Sequence, residues 1–243
     1  MMSDCLTYFK IQISNWRWSW TSMILTGIIV PVLVALGLGV YAAESGSESL
    51  QYAIVAGLSF SLFFELQGKI ASNIAFMKAT HALSQFAVTG TSKLSFIVGS
   101  LAAFSALSIP ALISTPCALI TIIGVNVHFQ PVIILAWVLA SLFFLLSGIV
   151  VGALSSSCEH ASSLSLLISI ACMSFGSVAA PPSLLPDWLV RVGVVNPAVH
   201  IARLIRAGIF TTGDDLSGSL MYVAVAVAVL VVAAYALLPW RKL

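Results

Sequence analysis

Long apolar runs, separated by short polar segments, make up most of this chain. Most runs are close to the roughly 20 residues that an α-helix needs to cross the hydrocarbon core of a bilayer, and the third is longer than a bilayer requires. The pattern predicts an all-α, polytopic membrane protein, a single transmembrane domain over residues 1–243. The six predicted spans are residues 21–42, 50–66, 94–125, 131–154, 161–178 and 216–240.

The segment before the first span, residues 4–20, has a helical pattern of its own. Its apolar side chains recur at three- and four-residue spacing, at Leu6, Phe9, Ile13, Trp16 and Trp20. Lys10 and Arg17 follow the same spacing on another face. We expect an amphipathic helix that lies in the membrane interface. A frayed lead-in to the first span is the alternative.

The polar stretch between the second and third spans, residues 67–93, predicts a cytoplasmic region with its own helix. Leu83, Phe86 and Ala87 form a small apolar ridge among polar neighbours. Such a helix can dock into the groove of a partner protein, with apolar anchors inside a polar rim. An interfacial helix that contacts only lipid headgroups fits the same residues.

Residues 179–215 are too polar to form a span and too apolar to form a simple loop. Prolines near the start interrupt any continuous helix, and Asn196-Pro197 is a strong helix-start signal. Beyond it, polar side chains fall opposite an apolar stripe, at His200, Arg203 and Arg206. We expect a re-entrant helical hairpin on the outer side. A surface helix with a solvated cationic face is the alternative.

The composition excludes several classes of function. Charged residues make up 7% of the chain and hydrophobic residues 60%, whereas about 25% of residues are charged in a soluble domain. The mean hydropathy is +1.10. The net charge of +2, with no long basic run, gives no reason to expect a nucleic-acid partner.

Charged residues are also missing where ion coupling would need them. No Asp, Glu, Lys or Arg occurs from Leu94 to Ser157. Because a coupling ion needs a ligand inside the membrane, we do not expect the chain to use an ion gradient. Glu65 is the nearest candidate, and we interpret it as an interfacial carboxylate at a helix end.

The sequence offers no site for catalysis. It has no G-x-x-x-x-G-K-[ST] phosphate loop, so an energised transporter would need a separate ATPase. The histidines lie outside the predicted spans or at their edges, away from any intramembrane nucleophile. The four cysteines are far apart and match no metal-binding spacing. We predict no catalytic residue, no metal site and no bound cofactor.

Lysine and arginine are unevenly distributed between the two sides of the membrane. With the N-terminus inside, the inner segments carry Lys10, Arg17, Lys69, Lys78, Lys93, Arg241 and Lys242. The outer segments carry Arg191, Arg203 and Arg206. The positive-inside rule therefore predicts that both termini are cytoplasmic. We expect a multi-pass protein of the cell (inner) membrane.

Two stretches resemble a known family, the membrane subunits of type-two ABC exporters of the drug, antibiotic and polysaccharide class. The first is KATHALSQFAVTGTSKLSFIVG, which is similar to the family's stretch after the second span. The second is LLPDWLVRVGVVNPAVHIARLIRAG, which resembles the family's outer hairpin. The resemblance extends over nearly the whole chain, with an interfacial helix before six spans.

The resemblance implies partners and roles for particular residues. Two copies of a cytoplasmic ABC ATPase, which would hold ATP and Mg, and a second permease, identical or homologous, would complete the transporter. The implied ATPase contacts are Lys10, Arg17, Lys78, His81, Leu83, Gln85 and Phe86. The implied outer gate is formed by Pro186, Trp188, Asn196, Pro197, His200, Arg203 and Arg206.

The same resemblance places a substrate pathway between the two permeases, lined from the second and fifth spans. Phe60, Phe63 and Phe64 are the candidate lining residues, with helix packing or lipid contact as the alternative. The expected function is ATP-driven export of an amphipathic or lipophilic cargo by alternating access, without an ATPase site in this chain. A channel or scaffold protein without an ATPase, or an intramembrane enzyme, is the alternative.

Overall fold

The computed structural model describes residues 2–16, 21, 24–43, 46–88, 90–123, 127–210 and 216–240. Every regular element in these ranges is helical. The helices are α1 (Met2–Trp16), α2 (Val30–Ala43), α3 (Ser47–Leu62), α4 (Lys69–Ala79), α5 (Ala82–Val88), α6 (Lys93–Ile123), α7 (Val132–Leu154), α8 (Cys158–Ser174), α9 (Asp187–Gly193), α10 (Pro197–Ile209) and α11 (Ser217–Leu237). A π-helical segment at Leu25–Ile29 leads into α2, another at Phe63–Gly68 joins α3 to α4, and a 3-10 turn at Pro182–Leu184 precedes α9.

Several of these helices are long and apolar enough to cross a membrane. Within the described ranges they are Ser47–Ala79, Lys93–Thr115, Val132–Leu154 and Ser217–Leu237. Helices α9 and α10, which meet at an angle of 86°, make a fifth if the pair counts as one broken span. An all-helical protein with several spans is therefore confirmed.

The predicted number of six spans depends on two further segments. The first predicted span, 21–42, includes positions outside the described residues. The fifth, 161–178, corresponds to α8, which has 17 residues and is slightly shorter than a typical span. A count of six stays a prediction.

The second predicted span differs from the structure in where it ends. We placed its end at residue 66, but the helix continues without a break from Ser47 to Ala79. The polar side chains beyond residue 66 do not break the helix because they find partners along it. Lys69 Nζ contacts Glu65 Oε2 at 2.5 Å, and Ser147 Oγ of α7 donates a hydrogen bond to Gln67 Oε1 at 3.2 Å. The predicted cytoplasmic region 67–93 therefore begins inside a long helix.

Helix α7 packs against α4, α10 and α11 and forms the centre of the fold. Two glycines one turn apart allow the closest of these contacts. A Cβ atom on Gly148 would lie 2.6 Å from the Gln67 carbonyl oxygen, and one on Gly152 would lie 2.5 Å from that of Ala71. This is the small-xxx-small pattern that lets two helix backbones approach in a membrane.

Helix α1 packs against α6, and its buried side is not its apolar stripe. Tyr8 and Gln12 face the protein, whereas Leu6 and Ile13 of the predicted stripe remain exposed. An exposed apolar stripe on a helix at the edge of the bundle is suited to contact with lipid. Arg17 and Trp20 lie outside the described residues.

The glycine contact between α7 and α4 gives a direct test of the packing. We expect Gly152→Ala to destabilise the protein by about 1–3 kcal/mol, because the added methyl group overlaps the α4 backbone. Unfolding of the purified protein in mixed detergent micelles measures the effect.

Gly218→Ala is the matched control, since nothing lies within 4 Å of a Cβ atom built at Gly218 in α11. It should be neutral, or stabilising by up to about 1 kcal/mol, because alanine costs less conformational entropy in a helix. Equal stability of the two variants would contradict the packing described here.

Candidate functional site

Three of the residues expected to contact an ATPase face the protein itself. Lys78 Nζ donates hydrogen bonds to the carbonyl oxygens of Ala153, at 2.8 Å, and Ser155, at 2.7 Å. These carbonyls belong to the C-terminal end of α7, where a cation is stabilised both by hydrogen bonding and by the helix dipole. Leu83 is buried, and Phe86 is half-buried. Lys78 therefore connects the end of α4 to the end of α7.

The remaining described members of that set are exposed. Lys10 on α1, His81 and Gln85 all reach the surface. His81 forms the corner between α4 and α5 with a φ of 58°, a left-handed conformation that is uncommon outside glycine. This corner fixes the direction in which α5 leaves α4.

Two exposed apolar side chains beside this corner were missed by the sequence analysis. Phe76 is 57% exposed, and Val88 is also exposed at the end of α5. The available signal was an apolar residue on the solvent side of a helix that the sequence predicts to be polar and cytoplasmic. Together, Phe76, His81, Gln85 and Val88 define what we call the docking face.

A cluster of aromatic side chains packs against α5 on the side that faces the protein. The Tyr8 ring lies 5.5 Å from that of Phe86 and 4.6 Å from that of Phe96, which in turn lies 5.3 Å from Trp240. Each of these pairs is within the range of favourable aromatic contacts. The cluster joins α1, α5, the first turn of α6 and the segment after α11 into one unit.

Hydrogen bonds extend this unit to α4. Gln12 Nε2 lies 2.5 Å from Tyr8 Oη and donates to it, while the Tyr8 hydroxyl contacts Met77 Sδ at 3.7 Å. Asn73 Nδ2 donates to Gln12 Oε1 at 3.3 Å. Burial raises the pKa of Tyr8 from the usual 10.0 to about 12, so the hydroxyl remains a donor in alkaline solution in which a solvated tyrosine would ionise.

The three candidate pathway phenylalanines have different environments. Phe63 is fully buried, with its ring 4.2 Å from that of Phe144 on α7, so it is a core residue rather than a lining residue. Phe60 and Phe64 are half-buried, and their rings lie 4.5 Å apart. The periodicity placed all three on the same helix but could not show which face meets α7.

Phe60 lines an apolar cavity of about 390 Å³ between α2, α3 and the segment after α8. Such a volume is at the lower end of the range for small-molecule sites. Its wall includes Val34, Leu38, Ala56, Met173 and Leu185. The cavity therefore suits an apolar group without a charge.

Glu65 is not the interfacial carboxylate that the sequence suggested. It lies within the long helix Ser47–Ala79 and is 1% exposed, because that helix continues past the predicted end of the span. Its Oε2 atom pairs with Lys69 Nζ. The expectation that charged residues are missing where ion coupling would need them is therefore wrong for this helix. A charge inside a span is expected to be paired and to mark a functional position.

The hairpin after α8 begins with a close backbone approach. Gly176 has a φ of 120°, and a Cβ atom there would lie 2.7 Å from Gly193 Cα. Pro186 precedes the first residue of α9, and Trp188 in that helix is exposed. The turn after α8 thus packs directly on the end of α9.

Asn196 links the hairpin to α8. Its Oδ1 atom accepts a hydrogen bond from Ala198 N at 3.0 Å, the predicted N-cap of α10, with Pro197 in the first turn. Its Nδ2 atom donates to the carbonyl oxygens of Cys172, at 2.6 Å, and Phe175, at 2.5 Å. One side chain therefore caps the start of α10 and satisfies carbonyl groups at the end of α8.

Helix α10 is a buried helix rather than a surface helix. Along this fully described helix Arg203 is the one exposed residue. The guanidinium carbon of Arg206 lies 4.0 Å from the centroid of the Tyr52 ring on α3, which is a cation–π contact. The predicted alternative, a solvated cationic face, is therefore wrong for Arg206 and His200, whereas Arg203 is exposed as that alternative predicts.

His200 connects three parts of the hairpin region. Its Nε2 atom lies 2.9 Å from the Val194 carbonyl oxygen and its Nδ1 atom 3.2 Å from Ser219 Oγ. Because a carbonyl oxygen can only accept, Nε2 donates this hydrogen bond. The ring also stacks on Tyr222 of α11, with centroids 4.2 Å apart. These contacts hold α10 against α11.

Residues 3–210 match a family model described as ABC-2 type transporter. The matched region runs from α1 to the residue after α10, and it contains the docking face, the cavity and the hairpin. No curated protein matches the chain.

The double role of Asn196 can be tested with an isosteric change. Asn196→Asp keeps the acceptor for Ala198 N but replaces the donor with an oxygen that faces two carbonyl groups. We expect a loss of about 1–3 kcal/mol in the free energy of unfolding, because the carbonyls lose their donor. Ser157→Ala is the control, since Ser157 caps α8 through one bond, from His160 N at 3.1 Å, and its loss should cost about 1 kcal/mol. Wild-type stability of Asn196→Asp would contradict the second role.

Proposed function

This chain belongs to the ABC-2 type transporter family and is a multi-pass transport subunit, and on that premise we propose that it exports an amphipathic or lipophilic cargo with energy from a separate ATPase. The observation that carries the proposal is the family match over both the docking face and the hairpin. The chain contains no phosphate loop of its own, so energy from ATP would enter through a contact with another subunit.

The proposed arrangement in the membrane has six spans, with both termini in the cytoplasm. The distribution of Lys and Arg supports this orientation. It puts the α4–α5 corner inside the cell and the α9–α10 hairpin on the outer side. The 86° angle between α9 and α10 supports a hairpin that enters the outer half of the membrane and returns.

Two ATPase subunits would bind at the docking faces of this chain and of a second permease, identical or homologous. The docking face combines apolar Phe76 and Val88 with polar His81 and Gln85, which is the anchor-and-rim composition of a protein interface. ATP and Mg would be held by the ATPase. Lys10 lies on α1, which the aromatic cluster joins to α5, and in the proposed complex it would add a second contact with the ATPase.

Movement at the docking face would reach the cavity through rigid connections. Helix α5 is fixed to α1 and α6 by the aromatic cluster, and α4 continues through the π segment into α3. Phe60, which lines the cavity, lies on that same continuous helix. A tilt of α4 on ATP binding would therefore change the cavity without any chemistry in this chain. Alternating access requires only that ATP and cargo bind the two states with different affinities.

The energy source is tested by efflux of a lipophilic fluorescent dye from cells that contain the transporter. We expect efflux to persist after a protonophore removes the proton gradient and to stop when ATP is depleted, because hydrolysis by the partner supplies the energy. A strain without this chain is the control. Efflux that follows the proton gradient instead would refute the proposal.

The docking face is tested by copurification of the ATPase with tagged chain in mild detergent. We expect Phe76→Asp to reduce the recovered ATPase at least about tenfold, since a charge replaces an apolar anchor at the interface. Phe129→Asp is the matched control, because Phe129 is 62% exposed and precedes α7 on the proposed outer side. Equal recovery from the two variants would place the ATPase contact elsewhere.

A further inference from the structure

Contacts at both of its ends hold the corner between α7 and α8 against α4. At one end, Lys78 Nζ donates a hydrogen bond to the Ser155 carbonyl oxygen at 2.7 Å. At the other end, Ser162 Oγ of α8 lies 2.9 Å from Ser72 Oγ of α4. Residues 156–161, which lie between these two contacts, therefore run beside the same stretch of α4.

Phe76 of the docking face belongs to this stretch of α4. It follows Ser72 by one turn, so it lies on the face of α4 that turns toward α8. Its neighbour Ala75 is buried in one apolar cluster with Ala161, the fourth residue of α8. The exposed ring of Phe76 and the first turn of α8 are therefore neighbours on the protein surface. The docking face adjoins the corner between α7 and α8.

The corner exposes side chains of the same kinds as the docking face. Leu154 at the end of α7 is exposed, and so are Glu159 and His160 in the first turn of α8. We call Leu154, Glu159 and His160 the corner surface. An apolar side chain beside polar ones is the composition expected at a protein interface.

Glu159 gives the corner surface a negative charge. A glutamate is ionised at neutral pH, and hydrogen bonds from its own backbone N–H and from Ser157 lower the pKa of this carboxyl further. Lys78, the cation that α4 brings to the corner, is engaged with the carbonyl oxygens of α7. Among the residues that the structure describes, no cation forms an ion pair with Glu159. The charge is therefore available to a partner.

This charge favours a protein over lipid headgroups as the partner of the corner surface. In the proposed orientation the corner lies at the cytoplasmic leaflet, whose anionic headgroups create a negative surface potential. Such a surface attracts Lys and Arg and repels a carboxylate. Glu159 is therefore better placed against a cationic side chain of a protein than against lipid. The adjoining docking face has an ATPase as its proposed partner.

We propose that the ATPase binds the corner surface together with the docking face, and that a lysine or arginine of the ATPase pairs with Glu159. The inference rests on the proposed ATP-driven export and specifies the chemistry of the partner's contact. Helix α8 runs from Glu159 to Met173 of the cavity wall, about 21 Å along its axis. The long helix Ser47–Ala79 carries both Phe76 and Phe60, which also lines the cavity. One bound ATPase would thus hold two of the helices that form the cavity.

The test is copurification of the ATPase with the tagged full-length chain in mild detergent, at about 0.1 M and about 1 M salt, which screen charges to different extents. The recovered protein is identified by mass spectrometry as one that carries a phosphate loop, and its amount is measured relative to the tagged chain. We expect Glu159→Lys to reduce the recovered ATPase at least about tenfold at the lower salt concentration, because two cations would then face each other.

Glu48→Lys is the matched control. Glu48 is also an exposed carboxylate in the first turn of a helix, α3, but it lies on the proposed outer side. Reversal of its charge has a similar effect on the helix dipole, so this variant should keep the wild-type recovery of ATPase. Equal recovery from Glu159→Lys and Glu48→Lys would overturn the proposal.

Glu159→Gln keeps the test decisive if Glu159→Lys fails to fold, because it removes the charge and keeps the shape of an exposed side chain. We expect it to reduce the recovered ATPase about twofold to fivefold at the lower salt concentration, the effect of one exposed ion pair. It should also make recovery less sensitive to salt than in the wild type. Wild-type recovery and wild-type salt dependence in Glu159→Gln would count against the ion pair.

The same assay separates this inference from the export proposal. If Phe76→Asp loses the ATPase while Glu159→Lys and Glu159→Gln keep it, the docking face stands and the corner contact is overturned. If the wild-type chain recovers no ATPase at either salt concentration, the proposed partner is overturned and this inference with it.

Discussion

The close contact between α7 and α4 is the constraint on which the rest of the structure depends. Gly148 and Gly152 allow the two backbones to approach, and a side chain at either position would push the helices apart. Lys78 then joins the ends of the same two helices through the α7 carbonyls. Because α4 continues into α3, the long helix that carries Phe76 of the docking face and Phe60 of the cavity is positioned relative to α7.

Polar groups inside this apolar protein are placed where they satisfy backbone atoms at helix ends. Asn196 and Lys78 each donate hydrogen bonds to two carbonyl oxygens, and His200 hydrogen-bonds to the carbonyl oxygen of Val194 just before α10. Asn196 and His200 are buried, which keeps water from taking over their bonds, so each of these bonds resists separation of the elements it joins. Buried polar atoms without a hydrogen-bond partner also occur in the described part of the chain, and Glu65 Oε1 is the one that belongs to a charged side chain.

The fold class could be predicted from the sequence because apolar run length decides whether a helix can cross a bilayer. The helix start at Asn196 could be predicted too, since the capping bond is local. The burial of Glu65 and Arg206 could not be predicted from the sequence. Glu65 is buried because its helix continues past the predicted end, and Arg206 packs on the ring of Tyr52, which comes from a distant segment. Periodicity identifies a face of a helix but does not show what covers that face.

The π-helical winding at Phe63–Gly68 has a geometric consequence for everything that follows it. A π turn contains about one residue more than an α turn, so it offsets the azimuth of all later side chains by roughly 100° relative to an uninterrupted α-helix. Ser72 and Lys78 meet α8 and α7 only with that offset in place. Deleting a single residue from this segment would restore regular winding and turn both side chains away from their partners.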